Sequence, residues 1–278
     1  MSDHNDEIVG VARDYYNSDD ADSFYATIWG GEDLHIGLYQ SEQESIFDAS
    51  RRSDAHMADL LGEVTAEQRI LDLGAGYGGS ARYLHQRFGS PVACLNLSEV
   101  QNQRNRRMNQ EQGVAEAIEV VDGNFEEVPY ANGSFDIIWS RDSFLHSGRR
   151  DKIFDEMVRL LRPGGRVIFT DPMQSDDCPQ GVLDPVLARI HLDSMGSPAF
   201  YRQVAAERGL EEVRYDAHDA QLPRHYGRVL QEVNANHEAL SKVCSEAYIE
   251  RMQAGLQHWV DAGHNGYLNW GIFLFRKP

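Results

Sequence analysis

Cysteine is scarce in this 278-residue chain, which has only Cys94, Cys178 and Cys244. They are widely separated, and that spacing excludes a paired-cysteine metal motif and a disulfide framework. We therefore expect three plain thiols. The scattered histidines, among them His218 and His225, show no ligand spacing either, so the sequence predicts no metal site.

Basic residues are also few. Lysine and arginine total 26 against 44 aspartates and glutamates, so the formal net charge is −18. A surface of this charge repels nucleic acid and anionic membranes, and no local basic patch offsets it. Such acidity suits a protein of a salty cytoplasm, because salt screens the mutual repulsion of carboxylates, and it suits an ordinary acidic cytosolic enzyme equally well.

Long apolar runs are absent too. No stretch approaches the roughly 20 apolar residues of a membrane span, and residues 1–17 have neither the basic region nor the apolar core of a secretion signal. Internal repeats and low-complexity linkers are also missing. We therefore expect a cytoplasmic protein with no membrane partner, built as one domain with elaborations.

What the chain does contain is an alternation of short apolar runs and amphipathic segments. A helix is predicted over 44–64, and Ser98 is predicted to cap a helix that runs to Gly113. Strands are predicted at 69–73, 92–97, 118–121, 135–139, 166–170, 211–215 and 268–275. This alternation predicts an α/β fold: a doubly wound, mostly parallel seven-stranded sheet with helices on both faces.

The segment between 173 and 266 has more helical pattern than such a sheet requires. Helices are predicted to include 186–192, 199–208 and 229–259. We interpret the excess as a cap over the carboxyl edge of the sheet, where open α/β sheets bind their ligands.

A glycine-rich turn after the first strand carries the strongest functional signal. Gly74, Gly76 and Gly79 let the backbone approach a ligand, and the next helix offers free N–H groups and a positive dipole end. Taken literally, the spacing is a dinucleotide fingerprint, as in NAD-dependent oxidoreductases. Those enzymes normally place a carboxylate where this chain has Asn96, yet an asparagine amide can also hold a ribose diol.

The run Asp72-Leu73-Gly74-Ala75-Gly76, with Gly123-Asn124-Phe125 after the third strand, resembles the class I S-adenosylmethionine-dependent methyltransferases over nearly the whole chain. The resemblance implies a Rossmann-like fold, S-adenosyl-L-methionine as cofactor and S-adenosyl-L-homocysteine as product. It also implies that Gly74 and Gly76 pass under the amino-acid part of the cofactor. The implied contacts with ribose and adenine are Asn96, Leu97, Asn124 and Phe125, and the further implied cofactor contacts are His35, Ile36, Gln101, Ser140 and Arg141.

Three further segments, 24–35, 95–101 and 140–146, resemble the small-amine methyltransferases, a group that includes phosphoethanolamine and glycine-betaine-forming enzymes. Within that group the chain is most similar to enzymes that methylate sarcosine and N,N-dimethylglycine. The resemblance implies an N-methyltransferase that forms the osmolyte glycine betaine, which fits the excess acidity. We accordingly divide the chain into a helical lid (1–62), a cofactor-binding α/β core (63–172), a helical cap with one core strand near 211–215 (173–266) and a final core strand (267–278).

Methyl transfer from a sulfonium to an amine is an in-line displacement, so the enzyme mainly aligns a neutral amine with the methyl carbon. The amine must first lose its proton, which His146 could relay, and Asp142 could neutralise a cationic amine or steady His146. Tyr25 and Trp29 could bind a methylated ammonium through their ring faces, worth about 0.5 to 2 kcal/mol each, or could simply pack in the core. We predict His146, Tyr25 and Asp142 as catalytic residues, with Tyr25 and His146 forming a latch between lid and sheet.

Other functions stay open at this stage. An NAD-dependent oxidoreductase would use the same glycine turn, and an inactive binding module would keep the fold, although intact Asp72, Asp142 and His146 argue against decay. A phosphoethanolamine enzyme should need a cluster of cations for the phosphate. Lys242 is the only lysine over 153–276, although arginines are available there. The predicted partner is a small amine, and the chain is expected to be a monomer or a homodimer.

Overall fold

The computed structural model describes residues 10, 13, 17, 19–29, 31–190 and 192–278, so much of residues 1–18 of the predicted lid, and Gly30 of the 24–35 segment, lie outside the described residues. Strands β1 to β7 span Ile70–Leu73, Val92–Asn96, Ile118–Asp122, Phe135–Arg141, Leu161–Gln174, Glu211–Ala217 and Leu268–Arg276. Helices α1 to α10 span Asp19–Ile28, Ile46–Leu61, Gly79–Phe88, Glu99–Glu111, Arg150–Leu160, Asp184–Arg189, Pro198–Glu207, Gln221–Ala235, His237–Leu240 and Glu246–His264. A 3₁₀ helix, Phe144–His146, lies between β4 and α5.

All seven strands form one sheet in the order β3-β2-β1-β4-β5-β7-β6. Strands β1 to β5 are all parallel to one another. Strand β7 is antiparallel to both β5 and β6. The strand order reverses between β1 and β4, which leaves a crevice at their carboxyl ends. The predicted doubly wound, mostly parallel seven-stranded sheet is confirmed.

Helices cover both faces of the sheet. Leu71 and Leu73 of β1 pack in one apolar cluster with α5 and α7, and Ile70 packs in another with α2 and α3. Successive side chains of a strand point to opposite faces, so a strand covered on both sides must be apolar almost throughout. All four residues of β1 are buried, including Asp72, the polar exception.

A third apolar cluster joins α1, α6, α8 and α10 beside the carboxyl edge of the sheet. It includes Leu268, which pairs with Gln174 at the carboxyl end of β5. Helix α7, although it lies within 173–266, packs through Tyr201 into the cluster of the sheet. The cap is therefore formed by α6 and by the helices after β6. No helix in the described part of the chain is long and apolar enough to cross a membrane.

The predicted helix over 229–259 is wrong in its continuity, because α8 ends at Ala235 and α10 begins only at Glu246. The side-chain amide of Asn236 donates to the Glu232 carbonyl at 2.9 Å, and the Ser245 hydroxyl donates to Asp20 at 2.8 Å. Short polar side chains of this kind compete with the helical hydrogen bonds and favour helix ends.

Candidate active site

A cavity of about 1300 Å³, including its mouth, opens at the carboxyl ends of β1, β2 and β4, between the lid segment 25–36 and the cap. The predicted site residues that line it are Tyr25, Trp29, His35, Ile36, Gly74, Gly76, Asn96, Leu97, Gln101, Asn124, Phe125, Arg141, Asp142 and His146. Ser140 lies outside the lining. The structure thus brings residues from five separate segments to one cavity, as expected for the switch point of an open sheet.

The glycine turn presents backbone to this cavity. Gly74 and Gly76 have φ values of +79° and +53°, in the left-handed region that favours glycine. The N–H groups of Gly74 and Ala75 donate to the Leu95 carbonyl at 2.8 and 3.2 Å, which ties the turn to β2. A Cβ atom on Gly74 would overlap the Ser143 hydroxyl. Helix α3 begins shortly after the turn, so its N-terminal end lies beside the cavity.

Side-chain amides gather at the end of β2. The Asn96 amide donates to Gln101 Oε1 at 3.0 Å, and Ser98 accepts from the Gln101 backbone N–H at 3.2 Å, which confirms Ser98 as the helix cap. Asn124 and Phe125 follow β3 and line the same part of the cavity. This region therefore combines hydrogen-bonding amides with an aromatic ring.

Asp142 anchors the lid. Among the described residues it is the only non-glycine with positive φ, at +48°. Its carboxylate accepts hydrogen bonds from the Ile36 N–H and the Trp270 indole N–H, both at 2.7 Å. Burial raises the pKa of Asp142, although the Arg141 charge and these hydrogen bonds act in the opposite direction. The carboxylate thus joins the lid to β7, and its predicted part in neutralising an amine or steadying His146 stays a prediction.

Two other sequence-predicted contacts also hold the framework. The buried guanidinium of Arg141 donates to Asp54 at 2.5 Å and to the Ile36 carbonyl at 2.8 Å, so its charge is neutralised within the protein even though the residue lines the cavity. The Ser140 hydroxyl donates to the Leu73 carbonyl at 2.7 Å. This bond joins β4 to the end of β1, and the cofactor contact of Ser140 stays a prediction.

Beneath the lid, buried acids surround Arg51 and Arg141. Arg51 pairs with Asp33 at 2.6 Å, and Arg141 pairs with Asp54. Burial, reinforced by Asp54, raises the pKa of Asp72 to about 8 and that of Asp33 to about 7. Burial also lowers the pKa of His35 well below its ordinary value, so this imidazole is neutral at physiological pH. The cluster links the lid to α2 and β1.

The cap side of the cavity contains a row of aromatic rings, Trp29, His225, Tyr226 and Trp259, which we call the aromatic wall. Neighbouring ring centroids are separated by 5.5, 5.5 and 4.6 Å along that row. Tyr25 extends it, with its ring 5.0 Å from that of Trp29. Ring spacings of this size are typical of aromatic pairs in contact.

Sequence reasoning missed the cap members of this wall. The sequence shows His225 only as a scattered histidine, yet it shares the buried face of α8 with Leu222 and Val229. His225 follows Leu222 by three residues and precedes Val229 by four, and this helical spacing was the sequence signal that it lies on the apolar face. Trp259 gave no comparable signal, because it reaches the cavity only through the packing of α10 against α8.

His146 and Tyr25 line the cavity from different elements. His146 ends the 3₁₀ helix after β4, where its N–H donates to the Ser143 carbonyl at 3.1 Å, and Tyr25 lies in α1. The structure therefore places the two predicted catalytic side chains at one site. Their function as a latch stays a prediction.

One further group of titratable residues lies at the β6 edge of the sheet. His56 Nε2 is 2.7 Å from Asp216 Oδ2, and His218 Nε2 is 3.4 Å from the same oxygen. These three side chains have the proximity that a metal ion requires. The hydrogen bond between His56 and Asp216 already accounts for the arrangement as a link between α2 and β6.

Comparisons with known proteins agree with this architecture. Residues 71–169 match the methyltransferase domain family. The chain is 56% identical to the sarcosine/dimethylglycine N-methyltransferase of Halorhodospira halochloris, over 99% of this chain and 98% of that protein, and 56% identical to that of Aphanothece halophytica, over 98% and 99%. A Galdieria sulphuraria structure described as a sarcosine dimethylglycine methyltransferase is 42% identical, with a TM-score of 0.90 over 95% of this chain and 98% of that one. The chain therefore belongs to the sarcosine/dimethylglycine N-methyltransferase family.

Proposed function

We propose that this chain transfers the methyl group of S-adenosylmethionine to the nitrogen of sarcosine and of N,N-dimethylglycine, forming glycine betaine and S-adenosylhomocysteine. One observation carries the proposal: the 56% identity extends over almost the whole of both chains. Residues of the lid and the cap line the cavity, so identity over the full length includes segments that surround the proposed substrate.

The cavity has the features that S-adenosylmethionine requires. Gly74 and Gly76 keep the turn free of side chains, and the amides of Asn96 and Gln101 suit the ribose hydroxyls. Phe125 offers a ring to the adenine. When bound, this cofactor supplies an electrophilic methyl group.

The acceptor amine reacts through its lone pair, so its ammonium proton must leave before methyl transfer. His146 takes that proton, directly or through a water molecule. Tyr25 and Trp29 hold the methylated nitrogen by their ring faces, at about 0.5 to 2 kcal/mol each. Closure of the lid keeps amine and methyl carbon aligned, which is the main catalytic requirement of such a displacement.

The charges of the cavity disfavour a phosphorylated acceptor. Among the described residues that line it, the guanidinium groups are those of Arg13 and Arg141. Arg141 is buried and paired with Asp54, and Arg13 is half-exposed and paired with Glu99, so the described lining lacks the cluster of cations that a phosphate requires.

An acceptor panel tests the proposal. The protein is incubated with methyl-labelled S-adenosylmethionine and one acceptor at a time: glycine, sarcosine, N,N-dimethylglycine or phosphoethanolamine. Mass spectrometry should show label on sarcosine and N,N-dimethylglycine, with glycine betaine as the end product. Labelling of phosphoethanolamine alone would contradict the proposal.

We also propose that the protein acts in the cytoplasm on a small amine, as a monomer or a homodimer, without nucleic acid or membrane partners. The net charge of −18 supports the last point, because it repels polyanions and anionic lipid. Gel filtration with light scattering measures the oligomeric state directly.

A further inference from the structure

Three buried nitrogen atoms of the aromatic wall have unsatisfied hydrogen-bonding capacity. They are Trp29 Nε1, His225 Nε2 and Trp259 Nε1, and none has a hydrogen-bond partner among the residues described. The side chains are almost fully buried: Trp29 is 4% exposed, and the other two are inaccessible. Leaving a buried donor unpaired destabilises a fold, so three unpaired donors in residues that line one cavity require an explanation.

His225 can act as a donor like the two indoles. Its Nδ1 is 2.8 Å from the Tyr39 hydroxyl, and burial lowers the pKa of His225 to about 3, so the ring carries a single proton at neutral pH. Burial also raises the pKa of Tyr39, which keeps its hydroxyl protonated. When that hydroxyl donates to Nδ1, the imidazole proton is on Nε2. The wall residues then carry three neutral N–H groups without a partner among the described residues.

The substrate end that these donors suit is a carboxylate. Sarcosine and N,N-dimethylglycine carry one, and the described cavity-lining guanidinium groups are already paired with Glu99 and Asp54. Neutral donors are therefore what the cavity offers to an anion. Ring faces attract the methylated ammonium, whereas indole and imidazole N–H edges attract the carboxylate, so one row of rings suits both ends of an amino acid.

We propose that Trp29, His225 and Trp259 bind the substrate carboxylate through their side-chain N–H groups. This inference rests on the proposed function. It adds the residues that bind the substrate carboxylate, which distinguishes amino acids from other small amines. An amine without the carboxylate would leave these donors buried and unpaired, so it binds more weakly.

The test measures binding of glycine betaine by calorimetry in the presence of S-adenosylhomocysteine, which requires no turnover. Trp29→Phe and Trp259→Phe remove an N–H group and keep a ring. Each should weaken betaine binding about tenfold, the effect of losing one hydrogen bond to a charged group, with unchanged affinity for S-adenosylhomocysteine. Trp139→Phe is the matched control: its buried indole N–H lies in the sheet core outside the cavity, and betaine affinity should stay at the wild-type value.

A pair of variants at His225 separates the donor from the packing. Glutamine places its amide near the position of Nε2, whereas asparagine places it near Nδ1. His225→Gln should therefore keep most of the betaine affinity, and His225→Asn should lose about tenfold. Far-UV circular dichroism and S-adenosylhomocysteine affinity confirm that each variant is folded, and this pair decides the question if Trp259→Phe fails to fold.

A substrate analogue completes the experiment. N,N-dimethylglycinamide replaces the carboxylate by a neutral group of the same shape, and Trp29→Phe should change its KM less than twofold while raising that of N,N-dimethylglycine about tenfold. Equal effects on both substrates, or betaine affinity unchanged in the Trp29 and His225 variants, would overturn the carboxylate assignment alone. Failure of the wild-type protein to methylate sarcosine or N,N-dimethylglycine would overturn the proposed function and the assignment with it.

Discussion

Gly76 has φ +53° in the glycine turn, and the nearest atom to an added Cβ is Leu34 Cδ1, at an ordinary contact distance of 3.5 Å. Gly209 also has positive φ, at +74°, with open space around an added Cβ, and it is not among the residues that line the cavity. We expect Gly76→Val and Gly209→Val both to lower the melting temperature, because each forces a β-branched residue into a strained region that costs about 1 to 3 kcal/mol.

Only Gly76→Val should also abolish binding of S-adenosylhomocysteine, because the valine side chain would occupy the proposed cofactor site and displace the turn. Calorimetry measures the affinity of the two variants for S-adenosylhomocysteine and so distinguishes backbone strain from loss of the cofactor site. Unchanged affinity in Gly76→Val, or equal loss in both variants, would show that the turn is not the cofactor site.

Asp72 determines a second property at the residue scale. Burial raises its pKa to about 8, so the protonated carboxyl stabilises the fold at low pH, and this contribution is lost as the pH rises through about 8. Asparagine resembles the neutral acid and does not ionise. Between about pH 5 and pH 8, the free energy of unfolding of the wild type should therefore fall relative to that of Asp72→Asn, by roughly 1 kcal/mol per pH unit.

Denaturant unfolding at a series of pH values measures this difference. Asp122→Asn serves as the control, because hydrogen bonds from Arg106 and Asn102 outweigh burial and lower the pKa of Asp122. Its profile should parallel the wild type over the same range. A parallel profile for Asp72→Asn would show that Asp72 is already ionised at about pH 5 and that burial does not raise its pKa as far as expected.

At the scale of elements, α1 and the 3₁₀ helix after β4 bring Tyr25 and His146 to one cavity. If the two side chains act as one latch, Tyr25→Phe and His146→Ala should each lower kcat at least about tenfold with little loss of cofactor affinity, since they act through alignment. The double variant should be little worse than the worse single variant.

Steady-state kinetics of the four proteins completes that cycle. Tyr83→Phe removes a hydroxyl that bonds Arg87, outside the cavity lining, and should leave kcat unchanged. Additive losses at the two latch positions would mean that Tyr25 and His146 act independently, and normal turnover in His146→Ala would remove it from the catalytic residues.

The elements that the sequence predicted well are those whose bounds depend on neighbouring residues in the chain. The strands from Ile70 and from Val92 are short apolar runs ended by glycine or a cap, and Ser98 caps α4 as expected. Strands β4 and β5 run past their predicted ends at Trp139 and Thr170, because ladder hydrogen bonds do not depend on side-chain polarity. Local pattern could not show this pairing.

The site divides in the same way. The glycine turn and the amides after β2 and β3 were predictable, since the carboxyl ends of parallel strands meet at one edge. The bonds of Asp142 to Ile36 and Trp270 were not, because they join segments more than 100 residues apart. Nor was the position of Trp259 in the aromatic wall, which depends on how the cap packs.

At the scale of the whole molecule, the net charge of −18 predicts a dependence on salt. Repulsion among carboxylates destabilises a compact acidic protein, and salt shortens the range of that repulsion to about 10 Å at 0.1 M. We expect the melting temperature to rise as NaCl is increased from about 0.01 M to 1 M, followed by scanning calorimetry. A flat profile would mean that screening of the surface ion pairs cancels the relief of repulsion, and a falling profile that it outweighs that relief.

The central claim is that lid, sheet and cap together form the cavity in which glycine betaine is made. One NMR measurement tests it most directly. The protein is mixed with N,N-dimethylglycine and S-adenosylmethionine carrying a ¹³C-labelled methyl group. We predict a growing ¹³C signal from the trimethylammonium of glycine betaine, with an equal amount of S-adenosylhomocysteine. A folded protein that binds S-adenosylhomocysteine yet produces no labelled betaine from N,N-dimethylglycine or sarcosine would contradict the account.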